Sequence, residues 1–206
     1  MICGTRITLR PATPNDRRDI YLWLAASDVT ASMMGPPIFP DVPIPTWDEF
    51  CDDYALHFFD GSRLDSGCSF IIEVDGEAVG HINYDGLDTE RSLTELDIWM
   101  RSQDCCGHGY GTDAMVALMR HFHAKFAVET FIVRPSRRNQ RAIRAYEKAG
   151  FQPSRLSIAD QISTYGDGDY FDTITLECKI SVSTDTAGLV CTIKGKILTI
   201  DVRNNP

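Results

Sequence analysis

Two carboxylates, Glu95 and Asp97, lie two residues apart in the segment LTELDIWM, which is predicted to form a β-strand. Residues two apart on a strand point to the same face, so both carboxylates are predicted to lie together. Carboxylates on an otherwise apolar strand cost desolvation free energy unless they have a partner or a chemical role. A carboxylate in this position could bind a cationic group or accept a proton, although a pKa of about 4 makes it a weak base. An ion pair with Arg91 or Arg101 is the alternative.

Three glycines, Gly107, Gly109 and Gly111, follow that strand and precede a segment with the apolar spacing of a helix. The first turn of a helix has free N–H groups and the positive end of the helix dipole, and glycine lets a phosphate approach the backbone closely. The spacing matches neither a nucleotide-hydrolase loop nor a dinucleotide-binding loop. A phosphate site and a plain turn therefore both remain open on these residues alone.

A second helix is predicted after Asn139, a capping residue, and before Gly150, which suits a helix end. It carries Tyr146, and the pattern alone favours a core aromatic at that position. A strand, FIVRP, connects the two helices and ends at Pro135.

Residues 106–111, followed by Asn139 and the run YEKAGF, resemble the GNAT superfamily of acetyl-CoA-dependent N-acetyltransferases. The likeness covers about residues 5–180 and is greatest to the aminoglycoside 6′-N-acetyltransferase and siderophore acyltransferase branch. It implies an α+β fold, with a mostly antiparallel twisted sheet of about six to seven strands. One parallel pair would splay apart, and about four helices would flank the sheet. Cys106 stands where the family usually has Arg or Gln, so we expect weaker coenzyme binding, with His108 and downstream arginines supplying charge.

The resemblance also implies roles for individual residues, with acetyl-CoA as acyl donor and no metal. Tyr146 would protonate the departing thiolate, and Asp97 or Glu95 would act on the amine. The pyrophosphate would lie on the backbone of six residues: Gly107, His108, Gly109, Tyr110, Gly111 and Thr112. The pantetheine arm would lie along Trp99, Met100 and Arg101 and reach Asn139.

The acceptor is expected to be a primary amine of a cationic small molecule. The stretch from Asp19 to Ser62 has eight acids and no Lys or Arg, and in this fold it would cover the acceptor. We expect Trp23, Asp28, Asp97 and Asp167 to bind it. Arg134 stands where the aminoglycoside branch keeps an aspartate and would repel a polycation. A protein or peptide N-acetyltransferase and a non-catalytic CoA-binding module remain the alternatives.

Composition restricts the remaining possibilities. The net charge of −9 argues against nucleic acid as a partner, and the apolar runs are too short for a membrane span. Seven scattered cysteines and the lack of an apolar signal core favour a cytoplasmic protein. We expect a monomer or a homodimer. His121 and His123 are spaced two apart on a helix, which does not suit a metal site. We expect a domain over residues 1–180 and an extension over 181–206 that forms a β-hairpin.

Overall fold

The computed structural model describes residues 1–33, 44–166 and 168–180, and the backbone of three strands beyond them. Residues 34–43, in a proline-rich stretch, lie outside the described residues, as do Asp167 and residues 194–195 within the expected C-terminal hairpin.

One eight-stranded sheet forms the centre of the fold, in the order β1-β2-β3-β4-β5-β6-β8-β7. The strands are β1 (Ile2–Cys3), β2 (Thr8–Pro11), β3 (Gly67–Val74), β4 (Glu77–Asp88), β5 (Leu93–Met100), β6 (Thr130–Val133), β7 (Gln152–Pro153) and β8 (Leu176–Lys179). All neighbours are antiparallel except β5 and β6, which are parallel. The predicted α+β class is confirmed, and two-residue strands at the edges, β1 and β7, account for the strands beyond the expected number.

Seven α-helices occur in the described part of the chain, where about four were expected. They are α1 (Arg17–Ala25), α2 (Thr30–Met33), α3 (Trp47–Asp53), α4 (His57–Asp60), α5 (Tyr110–Phe126), α6 (Gln140–Ala149) and α7 (Ile158–Tyr165). Both α2 and α4 have four residues, too short for a periodic pattern to reveal them. A 3-10 helix, Gln103–Cys105, precedes α5.

The helices cover both faces of the sheet and create two apolar cores. The larger core lies against α5 and α6, where Tyr84 of β4 packs edge-on against Phe122 of α5 with ring centroids 4.5 Å apart. The smaller core lies under α1, α3 and α4, where Phe50 and Tyr54 stack at 4.8 Å. The smaller core therefore supports the face of β5 that carries Glu95 and Asp97.

Local sequence signals set several boundaries of the helices and strands. Asp75 and Gly76 both have positive φ and join β3 to β4 in a tight hairpin. Thr46 and Glu49 form a reciprocal capping box at the start of α3, and the Asn139 side chain caps α6. Asp16 precedes α1 but does not cap it, because its carboxylate pairs with Arg10.

Three further strands lie beyond residue 180: β9 (Val182–Ser183), β10 (Leu189–Ile193) and β11 (Lys196–Ile200). They form a separate antiparallel sheet in which β10 pairs with both others. The division of the chain at residue 180 stays a prediction.

Candidate active site

The glycine loop presents a row of backbone donors. Gly107 and Gly109 both have φ of 82°, a left-handed conformation that disfavours other residues, and α5 begins at Tyr110. In the described part of the chain, none of the N–H groups of residues 107–112 has a backbone acceptor; the first to bond back is Asp113, to the Gly109 carbonyl. The loop can therefore surround an anion with main-chain N–H groups.

A cation that the sequence analysis missed lies at this loop. The Arg6 guanidinium lies 5.5 Å from the Tyr110 ring centroid, and a Cβ on Gly109 would come within 2.6 Å of its Nη2. The carboxylate of Asp113 accepts from the backbone N–H of Arg6 at 2.7 Å, which fixes the N-terminal segment against α5. No local pattern links position 6 to position 109, so only the fold reveals the contact.

Two side chains of the loop, Cys106 and His108, contact nearby backbone carbonyls. Cys106 donates from Sγ to the Ser102 carbonyl, and burial raises the pKa of its thiol. The His108 Nε2 lies 3.0 Å from the Asp104 carbonyl oxygen. His108, expected to contribute charge, thus has one ring nitrogen engaged within the loop.

The parallel strands separate immediately after Glu95. β5 pairs with β6 only from Leu93 to Glu95, and the later residues of β5 face a gap. A cavity of about 140 Å³ lies there, which we call the splay cavity. Its lining comprises Val29, Ser32, Met33, Ile98, Trp99, Met100, Cys106, Gly107, Gly111, Thr112, Met115, Asn139, Arg141, Ala142, Ala145 and Tyr146.

Strand register decides which backbone groups of β5 face this gap. The Arg101 N–H donates to Val79 of the neighbouring segment, and Trp99 lies opposite His81. Because hydrogen-bonded and non-bonded pairs alternate in an antiparallel ladder, Trp99 also directs its backbone groups to β4. Ile98 and Met100 are thus the residues whose backbone faces the gap. The Trp99 side chain points into the smaller core, where its indole N–H donates to the Ile20 carbonyl.

Asn139 and Thr112 both line the splay cavity, and the side chain of each also forms hydrogen bonds within the protein. The Asn139 oxygen accepts from the Ala142 N–H at 3.0 Å, and its nitrogen donates to the Ser32 carbonyl at 2.6 Å. An amide nitrogen has a second hydrogen, so Asn139 can still donate to a ligand. The Thr112 hydroxyl donates to the Ala145 carbonyl.

A second cavity of about 550 Å³ adjoins the first, and we call it the acidic cavity. Its charged lining comprises Asp53, Asp85, Glu95, Asp97 and Arg134. Five residues line both cavities: Met33, Ile98, Asn139, Ala142 and Tyr146.

Tyr146 lies where the two cavities meet. Its side chain is 8% exposed, and its hydroxyl has no hydrogen-bond partner among the described residues. Burial raises the pKa of this phenol far above its usual value, and the negative charge of Asp97 adds to the shift. The hydroxyl is therefore protonated at neutral pH and able to donate a proton into either cavity.

The Asp97 carboxylate faces the acidic cavity and is held by two donors. Oδ2 accepts from the Tyr54 hydroxyl at 3.1 Å, and Oδ1 accepts from the Ile98 N–H at 2.8 Å. Burial raises the pKa of Asp97, whereas these two hydrogen bonds lower it. Neither Arg91 nor Arg101 pairs with it; Arg91 pairs with Asp88 instead. Tyr54 is a second functional residue that the sequence analysis missed.

Glu95 is engaged by a cation. The Arg134 guanidinium forms two hydrogen bonds with its carboxylate, one of 2.8 Å from Nε and a second from Nη2. Arg134 also lies 5.5 Å from the Tyr170 ring centroid. The ion pair considered as the alternative role for this strand had Arg91 or Arg101 as partner, whereas Glu95 pairs with Arg134, on the segment after β6. This pair neutralises the cation expected to repel a polycationic acceptor.

Among the described residues, the structure does not bring two of the expected acceptor residues, Trp23 and Asp28, to the acidic cavity. Trp23 packs against the smaller core, and the neighbouring Leu24 lines the cavity instead. Asp28 accepts from the Gln103 N–H at 2.8 Å, so its carboxylate ties the loop before α2 to the loop before α5. Asp167 lies outside the described residues.

Residues 6–152 match a family model described as "Acetyltransferase (GNAT) domain". The chain belongs to the GNAT family. Its fold is similar to aminoglycoside acetyltransferase AAC(6')-Ib in complex with coenzyme A and kanamycin: 21% identity, 84% of this chain and 94% of that chain covered, TM-score 0.63. It is also similar to spermidine N-acetyltransferase from Vibrio cholerae in complex with CoA and spermine: 17% identity, 84% and 95% covered, TM-score 0.60.

A third GNAT structure, RimL, a ribosomal L7/L12 alpha-N-protein acetyltransferase in complex with coenzyme A, is 15% identical, with 84% of this chain and 94% of that chain covered and a TM-score of 0.61. At sequence identities of 15–21%, these structures show that the chains share a fold. None of the curated proteins searched matches this chain.

As a GNAT member, the protein is an acetyl-CoA-dependent N-acetyltransferase. The free N–H groups of the glycine loop fit the coenzyme's pyrophosphate, and the gap beside Ile98 and Met100 fits an extended amide-bearing arm. Among the described residues, no group of three metal-ligating side chains occurs. No helix in the same residues is both long and apolar enough to cross a membrane.

Proposed function

We propose that this enzyme transfers the acetyl group of acetyl-CoA to a primary amine of a cationic small molecule by direct attack. The observation that supports this most directly is the position of Tyr146, which lines both the splay cavity and the acidic cavity. The thioester would enter from the splay cavity and the amine from the acidic cavity, so the reacting atoms would meet beside the phenol.

The reaction forms one bond, breaks another and moves protons, and the site has one group suited to the thiolate and one suited to the amine. The amine nitrogen bonds to the acetyl carbon, and the carbon–sulfur bond breaks. Tyr146 gives its proton to the departing thiolate; a phenol is protonated at neutral pH, and burial favours this neutral form. Asp97 holds the incoming ammonium group, and one of its protons passes through the carboxylate to water before attack. A second proton leaves the nitrogen as the amide forms and restores the Tyr146 phenol through solvent.

Of the two candidate carboxylates, we assign the amine to Asp97. The Glu95 carboxylate accepts two hydrogen bonds from the positively charged Arg134 guanidinium. The donors to Asp97, a phenol and a backbone N–H, are neutral. A neutral donor leaves the negative charge available to a cationic substrate. Glu95 then has a structural role in this proposal, as one side of the cavity wall.

The charge of the cavity supports a cationic acceptor. Four carboxylates and one guanidinium line it, so its field attracts positive charge. The use of acetyl-CoA and the free thiols of five cysteines are consistent with a cytoplasmic enzyme, which we also propose; those cysteines are Cys3, Cys51, Cys68, Cys105 and Cys106.

The test is a thiol-release assay with acetyl-CoA against small cationic amines, neutral amines and peptide N-termini. We expect turnover with the small cations and a loss of about a hundredfold in kcat/KM for Asp97→Asn. Asp52→Asn removes the same charge from an exposed position on α3 outside the cavity and is the matched control. Turnover of peptides alone, or equal behaviour of the two variants, would contradict the proposal.

A further inference from the structure

Four polar side chains form two rungs on one face of the sheet. Asn83 lies opposite Asp97 in the β4–β5 register, and Asp85 lies opposite Glu95. Residues two apart on a strand point to the same face, so the side chains of these four residues share one face of the sheet. All four line the acidic cavity. Only Asp97 belongs to the chemistry described above, so the second rung and Asn83 need an explanation.

Asn83 is 3% exposed, and its side-chain oxygen has no hydrogen-bond partner among the described residues. Burying an amide oxygen without a donor is costly, and such groups in folded proteins commonly have a partner. Since Asn83 lines the acidic cavity beside Asp97, a ligand that carries N–H groups there would supply the missing donor.

Asp85 also lacks a partner. It forms neither a hydrogen bond nor an ion pair with any residue in the described ranges. The nearby guanidinium of Arg134 bonds to Glu95 through two nitrogens. Burial raises the pKa of Asp85, and the charges of Arg134 and His57 lower it. Asp85 is still solvent-exposed and bonds directly to no side chain in the described ranges, so a cation placed beside it would gain a carboxylate partner on the cavity wall.

We propose that the acceptor carries two ammonium groups, one held between Asp97 and Asn83 for reaction and one held by Asp85. This inference rests on the proposed function, because it assigns Asp97 to the reacting amine. Diagonal positions on neighbouring antiparallel strands are about 7–8 Å apart, which sets the separation of the two nitrogens. The substrate class is thus a diamine, linear or carried on a ring, with its amines at that spacing.

The probes are 1,5-diaminopentane, whose extended chain suits that spacing, and hexylamine, in which a methyl group replaces the second ammonium. We expect the diamine to exceed the monoamine in kcat/KM by about tenfold or more, the size of one charge-assisted hydrogen bond. Asp85→Asn should abolish this ratio, by lowering kcat/KM for the diamine far more than for hexylamine. Asp52→Asn, which removes an exposed carboxylate outside the cavity, should preserve it.

Equal kcat/KM for the two amines, or a ratio that survives in Asp85→Asn, would overturn the diamine inference while leaving amine acetylation intact. If neither probe is acetylated, calorimetry with 1,5-diaminopentane on the acetyl-CoA-bound enzyme decides. Binding that is lost in Asp85→Asn supports the subsite, and no binding to the unmodified enzyme overturns it. Failure of the proposed function is a different result: acetyl-CoA binds, yet no cationic amine of any kind is acetylated.

Discussion

The phenol of Tyr54 donates a 3.1 Å hydrogen bond to Oδ2 of Asp97, joining side chains 43 positions apart in the chain. Tyr54 is held in turn by the smaller core, where its ring stacks on Phe50 and meets Trp99 edge-on. An aromatic cluster under the sheet thereby fixes the orientation of the carboxylate that we assign to the amine.

Tyr54→Phe should therefore change the pH dependence of the reaction. The hydroxyl stabilises the charged form of Asp97 and lowers its pKa, so its removal raises that pKa. The carboxylate is then protonated at a higher pH, and the acidic limb of kcat/KM against pH should move upward. Full pH profiles of both enzymes measure the shift.

Tyr21→Phe is the matched control for that experiment. Its phenol belongs to the same aromatic cluster, with its ring 5.3 Å from Phe50, but donates to the Pro45 carbonyl rather than to Asp97. An identical profile shift in both variants would mean that the cluster, and not the hydrogen bond, controls the titration.

The Glu95–Arg134 ion pair should contribute to stability and little to turnover. The Glu95 and Arg134 side chains are 24% and 14% exposed, and Glu95→Gln removes the negative charge that this guanidinium bonds. We expect the free energy of unfolding to fall by roughly 1–3 kcal/mol, less than for a fully buried pair because solvent screens part of the charge. The kcat of the folded variant should stay within about threefold.

Urea unfolding measures this loss, and Asp88→Asn gives the comparison. That substitution breaks a surface pair in which Arg91 is 58% exposed, so the expected cost is about 0–1 kcal/mol. Glu95 would instead be a catalytic group if its substitution lowered kcat as strongly as Asp97→Asn while leaving stability unchanged.

Arg6 should supply the positive charge that Cys106 does not provide at the glycine loop. Its guanidinium lies against Gly109 and beside the free N–H groups, so Arg6→Ala should weaken acetyl-CoA binding by roughly fivefold. Calorimetry with acetyl-CoA and with pantetheine, which lacks the phosphates, checks the origin of the effect. The loss should be confined to acetyl-CoA.

Arg91→Ala is the control for this charge removal, because Arg91 pairs with Asp88 away from the loop. An equal loss in both variants would point to the overall charge of the protein. An unchanged affinity in Arg6→Ala would show that the backbone donors alone bind the phosphates.

The features that the sequence predicted correctly are local ones. The glycine turn before α5 and the Asn139 cap each depend on a few adjacent residues, and the structure confirms both conformations. The resemblance to GNAT motifs also predicted the splayed pair of parallel strands, because the motifs occur in the family's order along the chain.

Contacts between distant segments were not predictable from the sequence. Arg91 and Arg101 were the expected partners because they are near in the chain, yet β6 brings Arg134 beside Glu95. The face of α1 was also ambiguous, since Trp23 and Leu24 are both apolar and only packing selects Leu24 for the cavity. Side-chain pairs such as Tyr54–Asp97 depend on the packing of α3 against the sheet, which no spacing rule encodes.

Tyr146→Phe tests the central claim, that this phenol protonates the thiolate where the two cavities meet. Single-turnover kinetics with acetyl-CoA and a cationic amine, together with calorimetry for acetyl-CoA, separates chemistry from binding. We predict a fall in the chemical rate of about 10²–10⁴-fold with unchanged coenzyme affinity, while Tyr165→Phe, whose phenol bonds to Glu177 outside both cavities, keeps its rate. A near-normal rate in Tyr146→Phe would contradict the account.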